Sequence, residues 1–187
     1  MASRKRDLLV DTALELFYQD GFHATGIDRI LETAGVARMT LYNHFKSKDE
    51  LIVAVLRRRD EKFRNWFMRT VERLASKPED RLLAVYDALK EWFSSKDFCG
   101  CMFINASAEF GNPEDPIHRV AAEHKQLIRR YLGEIANETR ITEPEALADE
   151  LMLLMEGAIV MAHVAGDENA AVRAKQGAQK LLQQALA

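Results

Sequence analysis

The sequence predicts an all-α chain of about nine helices, and three observations carry that prediction. Apolar residues recur at i, i+3, i+4, i+7 along most of the chain, no segment alternates with the period of two that a strand needs, and strong start and stop residues punctuate the periodic runs. No repeat or low-complexity segment appears.

The first helix runs from near Arg4 to Asp20, with Leu9, Ala13, Leu16 and Phe17 as its core stripe and Gly21 as its stop. Thr25 stands where an N-cap belongs, with Asp28 in the capping-box position, and opens a short helix whose apolar face is Ile27, Ile30, Leu31 and Ala34. Gly35 suits the tight turn that follows, because glycine enters the left-handed region without a Cβ clash. Residues Ala37 to His44 form a second short helix with Leu41 and Phe45 inward; Arg38, Met39, Thr40, Tyr42, Asn43 and His44 crowd its outer surface. Ser47 and Glu50 make a Ser-x-x-Glu box that opens a long helix to about Ala75, lined by Leu51, Val55, Phe63, Phe67, Val71 and Leu74. Pro78 separates it from a helix reaching Ser94, with Leu82, Tyr86, Leu89 and Phe93 inward. A short helix from Cys101 to Phe110 is closed by Gly111-Asn112-Pro113. Pro116 begins the next, which carries Ile117, Val120, His124, Leu127, Tyr131 and Ile135. Thr142 and Glu145 read as another capping box, and Gly166-Asp167 separates the last two helices.

Composition narrows the function classes. At 187 residues and 48% apolar content the chain fills one large or two modest cores. No apolar run approaches a membrane span, and Met1 to Arg6 is a basic leader without the apolar stretch of a signal peptide, so a cytoplasmic protein is expected. Two cysteines, Cys99 and Cys101, imply no disulfide framework. Net charge is −3, but residues 1–64 carry twelve Lys and Arg against ten Asp and Glu, a balance of +2, leaving −5 for the rest. A weakly cationic head on an anionic body fits a protein that meets phosphate at one end only.

Helix, glycine turn and helix at this spacing match a helix-turn-helix, whose second helix enters a major groove; there an Arg bonds guanine edges bidentately while hydroxyls and amides fix phosphates. Ala34-Gly35-Val36, Thr40-Leu41-Tyr42, His44-Phe45 and Lys48 with Glu50-Leu51 resemble the signature of the TetR family of transcriptional repressors. The resemblance covers about the first third of the chain closely and the remainder by architecture. It implies a homodimer with a helix-turn-helix DNA-binding domain at 1–46 and a helical ligand-binding and dimerisation domain at 47–187. It further implies phosphate contacts from Tyr42, His44 and Lys48, with Thr25 and Thr40 as additional backbone contacts, and base-edge contacts from Arg38 and Met39; Asn43 shares that outer face. Members of the family often carry Ser where this chain has Ala37 and Gly where it has Met39. The first departure forgoes an N-cap of about 1 kcal/mol, and the second makes Met39 a candidate reader of thymine methyls.

In the larger domain, Phe63, Trp66, Phe67, Trp92, Phe98, Met102 and Met155 are core formers that as a set can line an apolar cavity, with Asn105, Glu109, Glu156 and His163 as polar residues able to orient a ligand. The resemblance implies that such a small-molecule site exists. The last two helices are rich in Ala and Gly, from Ala146 to Ala185, and with Leu147, Leu151, Leu154, Leu181 and Leu182 make a four-helix interface between two subunits the expectation. A two-fold dimer then requires a palindromic operator.

Cys101 stands near a helix N-terminus, where a thiolate is stabilised; with Cys99 it supports an alternative reading as a thiol-based redox or electrophile sensor. A metal site is not expected, since His118 and His124 are six apart on one helix, and no cofactor is expected either. No nucleophile elbow, phosphate-cradling loop or zinc-type His-Glu helix appears, so no catalytic residue is assigned. Together these features predict a ligand-responsive regulator, a repressor released from double-stranded DNA by a small molecule. The remaining alternative is a small-molecule binding protein that has lost DNA recognition.

Overall fold

The computed structural model describes residues 2–187; Met1 of the basic leader lies outside the described residues. Among the described residues there are nine helices and no strand: α1 (Ala2–Asp20), α2 (Ile27–Ala34), α3 (Arg38–Tyr42), α4 (Lys48–Leu74), α5 (Pro78–Phe93), α6 (Met102–Glu109), α7 (Pro116–Asn137), α8 (Pro144–Ala165) and α9 (Ala170–Ala185). None of them is long and apolar enough to cross a membrane.

Helix ends follow the punctuation in most places. Gly35 adopts the left-handed conformation at φ 65°, and its N–H and that of Val36 turn back to Glu32 and Leu31, closing α2. At α4 the box forms: Ser47 Oγ accepts the Glu50 N–H at 3.2 Å while Glu50 Oε2 accepts the Lys46 N–H at 2.7 Å. Two other boxes do not form. Gly26, not Thr25, is the N-cap of α2; the Thr25 hydroxyl is fully buried and donates to the Gly21 carbonyl at 2.8 Å. At α8 the chain turns helical at Pro144, whose fixed φ presets the first turn and whose missing N–H needs no cap, so Thr142 is left outside. Glu145 instead pairs with Arg129 at 2.7 Å and accepts from Asn137.

Two compact units result. The first comprises the chain up to Lys62 together with Met102–His124; the second comprises Phe63–Cys101 and Lys125–Ala187. This differs from a division at 46/47. The reason lies in α4, whose first turns bury Leu51, Ile52, Val55 and Leu56, and in α6, which joins the same unit as the helix-turn-helix.

In the first unit α1 packs on α2 and α3 through Leu9, Val10, Ala13 and Phe17, against buried Ile30, Leu31 and Leu41. Arg57, Arg58 and Arg59 are structural here. Arg58 pairs with Asp7 at 2.6 Å and with Asp11 at 3.4 Å, Arg59 lies 4.6 Å from the Tyr18 ring centre, and Arg57 reaches Glu123 at 3.5 Å. In the second unit α5 packs on α8 and α9, and α8 on α9. The fully buried Tyr86 hydroxyl donates to the Leu151 carbonyl at 2.9 Å, fixing α5 against α8, and Lys175 pairs with Asp87 at 2.6 Å across α9 and α5. Burial pushes the Tyr86 phenol well above its ordinary value. Much of the small-residue content of α9 is used inside the subunit: Ala171, Ala174 and Ala178 are buried, and a Cβ on Gly177 would meet Leu154 at 3.3 Å. The side of α8 that stays uncovered is apolar, with Leu153, Val160, Met161 and Val164 exposed.

Candidate nucleic-acid interface and effector residues

The short helix α3 is held by its inward Leu41 and, three residues past its end, by Phe45, both buried, while Ala37 stands at its N-cap with no side-chain bond. What remains outside is the polar set read from the sequence. Met39 is 68% and Tyr42 44% exposed, Arg38 and Asn43 are exposed, and Thr40 and His44 are half-buried. The Arg38 guanidinium pairs with the Asp28 carboxylate in the first turn of α2, a partner that no local sequence rule pointed to. A guanidinium fork, a thioether, an amide and a phenol on one convex face suit a DNA groove: the fork for purine edges, the hydroxyls and amide for phosphate.

Thr25 does not belong to that face, since its side chain points into the first unit. Lys48 is half-buried with its ammonium 5.9 Å from the Phe17 ring centre, and Arg6 stands 5.2 Å from the ring of Phe45. In both it is the charged end of the side chain that lies over an aromatic face.

The turn that precedes α2 meets the end of α6. Gly21, at φ 88°, sends the chain out of α1 so that successive N–H groups converge: Phe22 N–H bonds Glu109 Oε1 at 2.9 Å and His23 N–H bonds Oε2 at 2.6 Å. The His23 ring adds a third contact at 2.7 Å and stacks on Phe110 at 4.8 Å. Burial raises the Glu109 carboxyl, but these bonds and the His23 charge outweigh it and hold the group below its ordinary range.

The other residues assigned to an effector divide between the units. Met102, Asn105 and Glu109 lie in the first, with Met102 buried and Glu109 already engaged. In the second, Trp66, Phe63, Phe67, Trp92, Phe98 and His163 form one continuous run of ring contacts; Phe63 meets Trp92 at 4.8 Å, Trp92 meets Phe98 at 5.1 Å and Phe98 meets His163 at 6.1 Å. Gly100 is required beside this run, because a Cβ there would stand 2.7 Å from the His163 ring. Met155 is buried in the same unit.

A polar trio completes the picture. Lys125 Nζ pairs with Glu156 at 2.6 Å and lies 3.4 Å from the Cys101 sulfur. Burial depresses the Lys125 ammonium, but the charges of Cys101 and Glu156 prevail and keep it protonated beyond its ordinary range. Lys125 was invisible to sequence reasoning, being 24 residues from Cys101. The two histidines weighed as metal ligands are otherwise occupied: His118 Nδ1 meets the Phe110 carbonyl at 2.8 Å, and His124 meets Asp60 at 2.7 Å while stacking on Phe103. Among the described residues no three His, Cys, Asp or Glu form a metal cage.

Known proteins resemble this chain over most of its length. Residues 9–55 match the family model of bacterial regulatory proteins of the tetR family, and residues 78–178 match the tetracyclin repressor-like C-terminal domain. The HTH-type transcriptional regulator YjdC of Escherichia coli K12 is 24% identical over 155 residues, 83% of this chain and 81% of that protein. The HTH-type transcriptional repressor ComR of the same organism is 28% identical over 168 residues, 84% of this chain and 79% of that protein. Among solved structures, SCO4454, a TetR-family transcriptional regulator from Streptomyces coelicolor, superposes with a TM-score of 0.90 at 30% identity, covering 99% of this chain and 97% of that one. With both models matched and a solved family member superposing at 30% identity, the chain belongs to the TetR family of DNA-binding transcriptional regulators, which are not enzymes.

Proposed function

We propose that this regulator is a cytoplasmic repressor that binds a palindromic operator as a homodimer and is released by a small molecule. The observation that carries the reading is the outer face of α3, where Arg38, Met39, Tyr42 and Asn43 stand exposed on a helix pinned by Leu41 and Phe45. In this reading Arg38 and Met39 face base edges, and Thr40, Tyr42, Asn43, His44 and Lys48 hold phosphates. The DNA contacts come from residues 1–46 together with Lys48 at the start of α4, and the rest of 47–187 dimerises and binds the effector. The exposed apolar stripe of Leu153, Val160, Met161 and Val164 supports a dimer through α8 and α9, since so large an apolar edge on one helix calls for a cover. ComR, related over most of its length, is a repressor, which supports that sign of regulation. The aromatic run from Trp66 to His163 favours a largely apolar effector with an aromatic or cationic group. Selecting genomic fragments bound by the purified protein tests the reading: enrichment of a two-fold symmetric sequence is expected, and enrichment of none contradicts it.

A second reading is favoured by one contact. Lys125 stands 3.4 Å from the Cys101 sulfur and pairs with Glu156, so oxidation or alkylation of Cys101 would disturb that pair and act as a switch, with Cys99 two residues away as the second thiol. Iodoacetamide labelling of the native protein separates the two. Rapid labelling of Cys101 that weakens operator binding supports the thiol switch, and slow, denaturant-dependent labelling removes it.

A further inference from the structure

We infer that Glu109 is a positioning residue for operator recognition, which acts by clamping the turn that carries the helix-turn-helix. A carboxylate in the last turn of α6 faces the negative end of that helix's own dipole, so α6 gains nothing from it. The turn does. Past left-handed Gly21, whose own N–H still bonds the Phe17 carbonyl, the next two N–H groups converge on Glu109, which takes one with each oxygen, at 2.9 Å from Phe22 N and 2.6 Å from His23 N. The fit is close, because a Cβ on Gly21 would stand 3.1 Å from Glu109 Oε1.

The clamp has a second part. Phe110 stacks on the His23 ring at 4.8 Å and meets Phe22 edge-on at 6.0 Å, and Phe22, fully buried, leans on Phe17 of α1 at 5.3 Å. On the far side of the turn the Thr25 hydroxyl ties down the Gly21 carbonyl at 2.8 Å. Between His23 and the start of α2 at Ile27 there are only three residues, so the place where α6 ends sets the place where the reading helices begin. Glu109 touches no DNA in this scheme. It fixes where α2 and α3 stand within the first unit. The inference rests on the DNA-binding reading proposed above.

The experiment uses the full-length protein, an operator duplex recovered by selecting bound genomic fragments, and matched duplexes that each carry one substituted base pair in a half-site. Glu109→Ala is expected to weaken binding to the native duplex about tenfold and to narrow the penalty for a substituted base pair from about tenfold or more to under about threefold, because a loosened turn no longer holds α3 in one register. Mere loss of stability would lower affinity for every duplex alike and leave that discrimination unchanged. Hydrogen exchange at the Phe22 and His23 amides should accelerate, with core amides of α4 unaffected. Glu109→Gln, which keeps one good acceptor, and His23→Ala, which keeps both amide bonds, should lie between wild type and Glu109→Ala, and serve in its place if that variant does not fold. Variants that fold and retain both affinity and base discrimination overturn the inference. A wild-type protein that enriches no fragment removes the DNA-binding reading beneath it, and is distinguished by that.

Discussion

Replacing Arg38 by Ala probes the division of labour on α3. The guanidinium has one protein partner, Asp28, and both side chains are more than half exposed, so the pair contributes only about 0–1 kcal/mol to folding. Removing it should lower the melting temperature by no more than about 2–4 °C in a chain of this size. Its value on DNA is larger. A bidentate bond to one purine edge is worth about 1–3 kcal/mol of discrimination, or roughly 5- to 150-fold per half-site. The loss should appear at one symmetric pair of operator positions. Asp28 sharpens the test, because its carboxylate competes with the base for the same fork and repels nearby phosphate. Asp28→Asn should therefore raise operator affinity a few-fold, and the sequence-selective part of that gain should vanish in the Arg38→Ala background. Fluorescence anisotropy against a panel of singly substituted operators at fixed salt reads both effects. Equal losses at every position for Arg38→Ala would refute the assignment, leaving Arg38 a phosphate contact.

Further outcomes follow from the same geometry. Lys48→Ala should weaken binding to all duplexes alike and reduce the slope of log affinity against log salt by about one per subunit, measured by titration across salt concentrations. Leu153→Asp with Val164→Asp places charges on the exposed stripe of α8; sedimentation should show a monomer that keeps its helical circular dichroism and loses operator binding. For Glu109 the folded carboxyl lies below its ordinary value of 4.5, so the group contributes stability that is present above that value and lost as pH falls through its folded one. Melting temperatures of wild type and Glu109→Gln should thus differ at neutral pH and converge in acid below 4.5; a constant gap would contradict the clamp.

The helices were legible because their cause is local and periodic. Leu9, Ala13, Leu16 and Phe17 on α1 and Ile30 and Leu31 on α2 are buried as their spacing requires, and Gly35 closes α2 in the left-handed conformation. The outer face of α3 was legible for the same reason: once Leu41 and Phe45 point inward, geometry leaves its neighbours outside. Caps were less so. Thr25 and Thr142 satisfy the sequence pattern of a box, yet Thr25 is drawn into the core by the Gly21 carbonyl and Thr142 is bypassed by Pro144, each a competitor that the pattern does not weigh. The small residues of α9 were read as an intersubunit seam, but small side chains serve any close helix pair, and here α5 and α8 already take Ala171, Ala174 and Ala178.

What the sequence hid was the set of contacts made across long stretches of chain: Glu109 with the turn 86 and 87 residues earlier, Lys125 with Glu156, and Arg38 with Asp28 across the glycine turn. By residue type alone Glu109 is one more acid able to meet a ligand. Its position carries a signal nonetheless, since an acid in the last turn of a short helix works against the dipole and needs an external reason to be there. A second signal sits in Gly21-Phe22-His23, a helix stop followed by a large apolar residue that must find a core and a ring that can pair with a carboxylate. Neither signal names its partner alone. Taken together, an unexplained acid and an unfilled pair of backbone donors restrict the partner to few candidates, and charge complementarity selects among them. The contact that joins α6 to the DNA-reading head is thus of the kind that physical mismatch within each segment foretells, even where periodicity is silent.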